Sequence, residues 1–257
     1  MKLFISPCPN DIFMFEAIIN KRIDLENMEF EVEYHDIEEL NSRAKNQEAH
    51  ITKVSCAMLP MLNRKYSTSN VGAALGYGNG PLIVRKKGAT GPIEKIAIPG
   101  LNTTANLLIS KLFGEIKPSK RVPMLFSEIA AAVADDSNDI DAGVLIHESR
   151  FTYADAGLEL VADLGKLWEE RTNLPLPLGA IALRRDLTMR EAQNFQRILH
   201  KSIEYAIANP LASRELIKQH AQELDDKTID KHIKMFVNKY SLELGVDGKT
   251  ALKQLLG

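Results

Sequence analysis

Pro81-Leu-Ile-Val-Arg-Lys-Lys-Gly88 is a short apolar run closed by a basic turn and a glycine, the pattern of a strand leaving one block of structure for the next. Leu178 to Leu183 is a second apolar, extended run, placed to make the return crossing. Between them lies an alternating unit of its own. Its strands are expected at 96–99, 122–126 and 142–146, and its helices at 103–113 and 128–134. Two crossings around a self-contained segment predict a discontinuous lobe, about residues 1–82 and 183–257, and a continuous lobe, about residues 83–182. That is the plan of a hinged ligand trap with a cleft between two lobes.

Outward from the first crossing, residues 3–6 read as a strand, followed by the Pro7-Cys-Pro-Asn-Asp11 loop and an apolar helix over 12–20. Phe30, Val32 and Tyr34 alternate with Glu31 and Glu33, as in a half-exposed strand. Asp36 caps the next helix, with Glu39 completing a capping-box pattern. A third strand follows over 51–55 and a helix over 57–66. Beyond the return crossing the pattern is helical from Thr188, interrupted at Asn209-Pro210 and Gly245. The alternation predicts α/β layers with a largely parallel sheet.

The bulk numbers narrow the function classes. The chain has 257 residues, 45% hydrophobic and 26% charged, with net charge −2, which is ordinary globular composition. That charge gives no reason to expect nucleic acid or an anionic membrane as partner. No apolar run approaches the roughly 20 residues that span a bilayer. Met1-Lys-Leu-Phe-Ile-Ser-Pro7 lacks the long apolar core of a secretory signal, so a cytoplasmic address with Cys8 and Cys56 reduced is expected. The histidines and cysteines show no metal-ligand spacing, and no metal is expected. His200, His220 and His232 read as solvent-facing in the polar helical third.

Four stretches can carry chemistry. His147 directly follows Ala142-Gly-Val-Leu-Ile146 and so stands at the carboxyl end of a strand, where α/β sheets bind ligands and where an imidazole can accept a proton. Its bland alternative is a structural histidine at a strand terminus. Pro99-Gly-Leu-Asn-Thr-Thr-Ala-Asn106 is a strand end, a glycine turn and a capped helix start, suited to a carboxylate or phosphate or simply to a helix cap. Thr52-Lys-Val-Ser55 closes another strand; Lys53 reads as a ligand contact or a solvated residue, and Ser55 lacks the elbow of a nucleophile, so binding is its expected role. In Ser6-Pro-Cys-Pro-Asn-Asp11, Asn10 or Asp11 can cap the following helix, and Cys8 has no histidine near it in sequence. Gly76-Tyr-Gly-Asn-Gly-Pro81 precedes a strand, so it fails the dinucleotide fingerprint and reads as close backbone packing.

In order, Ser6–Asp11, Thr52–Ser55, Gly76–Pro81, Thr103–Ala105, Ile146-His-Glu-Ser-Arg-Phe-Thr-Tyr153 and Leu174-Pro-Leu-Pro-Leu-Gly179 resemble the 1,4-dihydroxy-6-naphthoate synthase family of the futalosine route to menaquinone. The resemblance covers the chain to about residue 185 by motif and the helical tail by character. It implies a type II periplasmic-binding-protein-like fold used as a cofactor-independent carbon–carbon lyase. The implied substrate is cyclic dehypoxanthinyl futalosine, an aromatic carboxylate cleaved to the naphthoate and a small sugar-derived fragment. Carried over residue by residue, the proton acceptor falls on His147, and the substrate contacts on Lys53, Val54 and Ser55 and on Thr103, Thr104 and Ala105, with Asn10 in the matching loop beside them. Ile12 stands where the family commonly has threonine, and Cys56 where an aromatic residue is expected. The alternatives are the sibling chorismate dehydratase of the same route and a non-catalytic cytosolic module that binds small carboxylates. Ile146-His-Glu and Pro175-Leu-Pro-Leu-Gly179 favour the synthase.

Overall fold

Alternating strand and helix signals in the first 76 residues become β1 (Lys2–Ile5), α1 (Pro9–Ile19), β2 (Glu31–Tyr34), α2 (Ile37–Lys45), β3 (Ile51–Ser55), α3 (Leu59–Leu62), β4 (Tyr66–Thr68) and β5 (Ala74–Gly76). The central segment forms β6 (Leu82–Lys86), β7 (Ile96–Ile98), α4 (Thr104–Leu112), β8 (Arg121–Pro123), α5 (Ile129–Ala134), β9 (Ala142–Leu145), α6 (Ser149–Thr152), β10 (Leu158–Asp163) and α7 (Leu164–Thr172). The return is β11 (Leu176–Arg184), followed by α8 (Met189–Ala208), α9 (Arg214–His220), α10 (Asp226–Phe236), α11 (Lys239–Leu242) and α12 (Gly245–Leu256). These elements come from a computed structural model that describes residues 1–114, 116–221 and 224–257. The chain divides into two units, Met1–Gly76 with Pro177–Gly257, and Tyr77–Leu176.

The first unit holds a sheet ordered β2-β1-β3-β11-β4, with β5 paired to β11. β1 lies parallel to β2 and β3, whereas β11 runs antiparallel to β3 and β4. The second unit's sheet is β10-β6-β9-β7-β8, with β6 antiparallel to both neighbours and β7 parallel to both of its own. The sheets are therefore mixed rather than largely parallel. Parallel neighbours need a crossover laid down within the same unit. The crossing strands β6 and β11 each arrive from the other unit's stretch of chain, and both run against a neighbour.

Local sequence explains most boundaries. α1 begins at Pro9, earlier than the apolar run suggests, because proline fits the first helical position where no amide acceptor is needed. Asn10 and Asp11 consequently lie inside the first turn and do not cap it; Cys8 is the N-cap residue. Residues 57–66 are not one helix: a 3-10 turn at Cys56–Met58 leads into the single-turn α3, and Tyr66 opens β4. Thr188 and Glu191 form the reciprocal capping box of α8.

In the first unit, α8 buries Phe195, Ile198, Leu199, Ser202, Ile203 and Ala206 at helical spacing, forming the core with Met14, Phe15 and Ile18 of α1. The Ser202 hydroxyl is satisfied by donating to the Met14 carbonyl at 2.7 Å. α10 buries Ile229, His232 and Phe236 at the same spacing, so His232 is fully buried rather than solvent-facing, its ring 4.7 Å from that of Phe236. His220 is exposed, with its ring 4.0 Å from Tyr34, and His200 meets Glu204.

In the second unit, Leu82 and Val84, Ala97, Leu145 and Leu158 from its strands pack with Ile129 and Val133 of α5. α5 sits so close to β9 that a methyl on Gly143 would lie 2.5 Å from Ile129 Cγ2 and 2.8 Å from Val133 Cγ2. Overpacking of this kind costs about 1–3 kcal/mol. Gly143→Ala is therefore expected to lower the unfolding free energy by that amount, read as a lower urea midpoint, and an unchanged midpoint would show that α5 yields freely.

Candidate active site

β9 ends at Leu145, and two residues later the chain turns at His147 with φ +55. This left-handed conformation costs a residue with a side chain about 1–3 kcal/mol, and such outliers concentrate at functional positions. The imidazole lies edge-on to Phe126, ring centroids 4.9 Å apart at 67°. Phe126 opens the 3-10 turn Phe126–Glu128 ahead of α5 instead of ending a strand, so its role as a wall for His147 was hidden by the expected extension of β8.

The turn carrying His147 is tied to the glycine-rich loop. Arg150 of α6 donates to the Gly78 carbonyl at 2.8 Å, and the Gly78 amide donates to Glu169 of α7 at 2.6 Å. Burial pulls the Arg150 guanidinium below its ordinary pKa, opposed by Asp163 and Glu169. Gly80 packs so tightly that a Cβ there would lie 2.2 Å from the backbone of Gly165. Gly80 thus serves close packing, whereas Gly78 has open space around it and takes φ +67.

The helix start of α4 is built as its sequence suggests. Thr103 is the N-cap; its hydroxyl accepts from the Asn106 amide at 3.2 Å and donates to the Gly100 carbonyl at 2.9 Å. Thr103, Thr104 and Ala105 are buried, and Gly100 takes φ +141, open to glycine alone at little cost. The first amides of an α-helix lack acceptors within it and present the positive end of its dipole. Such a start suits a carboxylate. His147 and this start belong to the same unit, Tyr77–Leu176.

The first unit contributes a separate polar cluster. β3 lies between β1 and β11 and all five of its residues are buried, which rules out Lys53 as a solvated strand residue. Lys53 Nζ donates to Asp11 Oδ1 at 2.7 Å. Asp11 also accepts from the Asn10 amide at 2.8 Å and from the Ser6 hydroxyl at 2.7 Å. The lysine stem fits because Gly179 has no side chain; a Cβ there would lie 2.8 Å from Lys53 Cε. Ser55 exchanges hydrogen bonds with Asn41, its amide donating at 2.8 Å and its hydroxyl accepting at 3.0 Å. The Val54 side chain packs into the apolar cluster of Ala44, Met58, Leu62, Tyr66 and Ala182, so its side chain offers nothing to a ligand. Cys8 and Cys56 are buried and are not joined in a disulfide. Burial pushes the Cys56 thiol up to about 12, which suppresses the nucleophilic thiolate.

Among the described residues no group of three or more His, Cys, Asp or Glu is placed to hold a metal ion, and no helix is long and apolar enough to cross a membrane.

The family model described as menaquinone biosynthesis matches residues 1–257. A Thermus thermophilus protein named 1,4-dihydroxy-6-naphthoate synthase is 39% identical, covering 99% of this chain and 92% of its own. Among solved structures, protein AF1704 from Archaeoglobus fulgidus is 37% identical with a TM-score of 0.90, covering 99% of this chain and 94% of that one. A Candida albicans protein described as having the generic periplasmic binding protein fold is only 11% identical yet reaches a TM-score of 0.69 over 99% of this chain and 89% of its own. The last likeness shows the fold: two α/β units of the periplasmic-binding-protein kind.

Proposed function

The chain belongs to the menaquinone-biosynthesis family, among relatives named 1,4-dihydroxy-6-naphthoate synthase, and we propose that it is a carbon–carbon lyase converting cyclic dehypoxanthinyl futalosine to 1,4-dihydroxy-6-naphthoate. The observation that carries the reading is His147, held at φ +55 at the end of β9 against Phe126, in the same unit as the buried Thr103–Ala105 start.

In this reading the amides of Thr103, Thr104 and Ala105 hold the substrate carboxylate. His147 takes the proton of a sugar-ring hydroxyl. The alkoxide electrons form a carbonyl as the adjacent carbon–carbon bond breaks, and the electron pair of that bond passes into the ring system, which becomes aromatic as the fragment leaves. Fixing the reacting atoms supplies much of the lowering of the barrier, and a positioned base adds about 10²–10⁴-fold. On the first unit, the Lys53 ammonium has three donors, of which the Asp11 contact uses one, and with Ser55 and Asn10 it is assigned to polar contacts with the ligand.

Purified protein incubated with cyclic dehypoxanthinyl futalosine, without added metal or cofactor, is expected to release the naphthoate and a sugar-derived fragment in equal amounts. Binding seen by thermal shift with no product would instead make the chain a binding module, and turnover of chorismate would make it the dehydratase.

A further inference from the structure

Arg121, the first residue of β8, is buried, and among the described residues its hydrogen-bond partners, in α4 and at Ile116, are all neutral. One terminal nitrogen donates to Asn106 Oδ1 and to Ser110 Oγ, each at 2.8 Å, and to the Asn106 carbonyl at 3.3 Å; the other donates to the Ile116 carbonyl at 2.8 Å. Its Nε is buried with no hydrogen-bond partner among the described residues. Burial pulls its pKa down, yet an arginine stays charged in a protein. A buried cation that meets only neutral acceptors is costly, and it strengthens any anion held nearby in low dielectric.

Asn106 links this charge to the start of α4. Its Nδ2 donates to the Leu101 carbonyl at 2.8 Å and its amide donates to the Thr103 hydroxyl, which donates to the Gly100 carbonyl. The guanidinium therefore orders the Gly100–Thr103 turn and lies within reach of the third helical residue. We propose that Arg121 is a positioning residue for the carboxylate of the ligand, acting through Asn106 and adding its own positive charge to the positive end of α4. This rests on the assignment of the substrate carboxylate to Thr103–Ala105.

The test is calorimetric titration with 2-naphthoate and with 2-naphthamide, which share the ring system but differ in charge and in the two donors of the amide NH2, so the wild-type preference is the reference against which each variant is read. Wild type binds the carboxylate more tightly. Arg121→Met reduces that preference about tenfold, with the amide's affinity retained, and raises KM for the substrate more than it lowers kcat. Arg121→Lys keeps the charge without the planar fork and retains most of the preference. Equal weakening of both probes, or an unchanged preference in Arg121→Met, overturns the role of Arg121 while leaving the carboxylate assignment intact. A wild type that does not distinguish the probes overturns both. Should Arg121→Met fail to fold, Asn106→Leu cuts the link and leaves the charge in place; a preference undiminished in that variant overturns the proposal.

Discussion

His147→Asn is expected to lower kcat by about 10²–10⁴-fold while leaving the protein folded and able to bind a naphthoate, because the substitution removes the base and little else. Asparagine is among the few residues with a side chain that tolerate the left-handed region, so the turn at φ +55 after β9 survives. It is also flat and compact enough to sit against Phe126. A β-branched residue at 147 would confound the result by straining the backbone. The decisive comparison is kcat with the thermal midpoint and naphthoate affinity measured on the same preparation. A variant within tenfold of wild-type kcat would remove His147 from the chemistry and leave it as a structural turn residue. Loss of naphthoate binding together with activity would point instead to collapse of the turn held through Arg150, Gly78 and Glu169.

Local signals made the candidate site partly legible. The position of His147 past a strand of small and apolar residues, a helix capped at Asn102 or Thr103 and the extent of β3 all follow from nearest-neighbour chemistry, and the structure places them accordingly, with Thr103 as the cap. The strands β6 and β11 were visible for the same reason: apolar runs bounded by turn residues need no tertiary information. The direction in which β6 and β11 pair was not, since it depends on which unit each strand comes from. Fixed helical periodicity would have exposed the error at His232, which shares a face with Ile229 and Phe236.

The contacts that were missed have one physical property in common: the partners are distant in sequence or belong to another element. Lys53 meets Asp11 across 42 positions, and Arg121 meets Asn106 across 15. Phe126 and His147 meet from a 3-10 turn and a strand end. A lysine inside a strand looks solvated until the sheet order puts neighbours on both sides of it. Gly179 carried a signal that could have been used, because a glycine within an apolar strand often marks the close approach of another chain segment, here the Lys53 stem.

That pair supports the second large effect. Lys53→Met is expected to destabilise the first unit by about 3–5 kcal/mol, because it leaves the Asp11 carboxylate buried with neutral donors, the Ser6 hydroxyl and amide and the Asn10 side-chain amide, to support its charge. Asp11→Asn should cost a similar amount by stranding the ammonium. Replacing both at once removes both buried charges, so Lys53→Met/Asp11→Asn is expected to regain much of the loss, with a coupling of about 2–3 kcal/mol in a cycle of urea unfolding curves. Additive losses would mean that packing against Gly179, rather than charge, makes Lys53 indispensable. The double variant also separates structure from function. A buried ion pair is often no more stable than an apolar replacement of the same shape, so stability alone does not account for its presence. If the ammonium serves the ligand, the restored double variant folds but keeps a raised KM. Wild-type kinetics in that variant would confine Lys53 and Asp11 to holding β3 and α1 together.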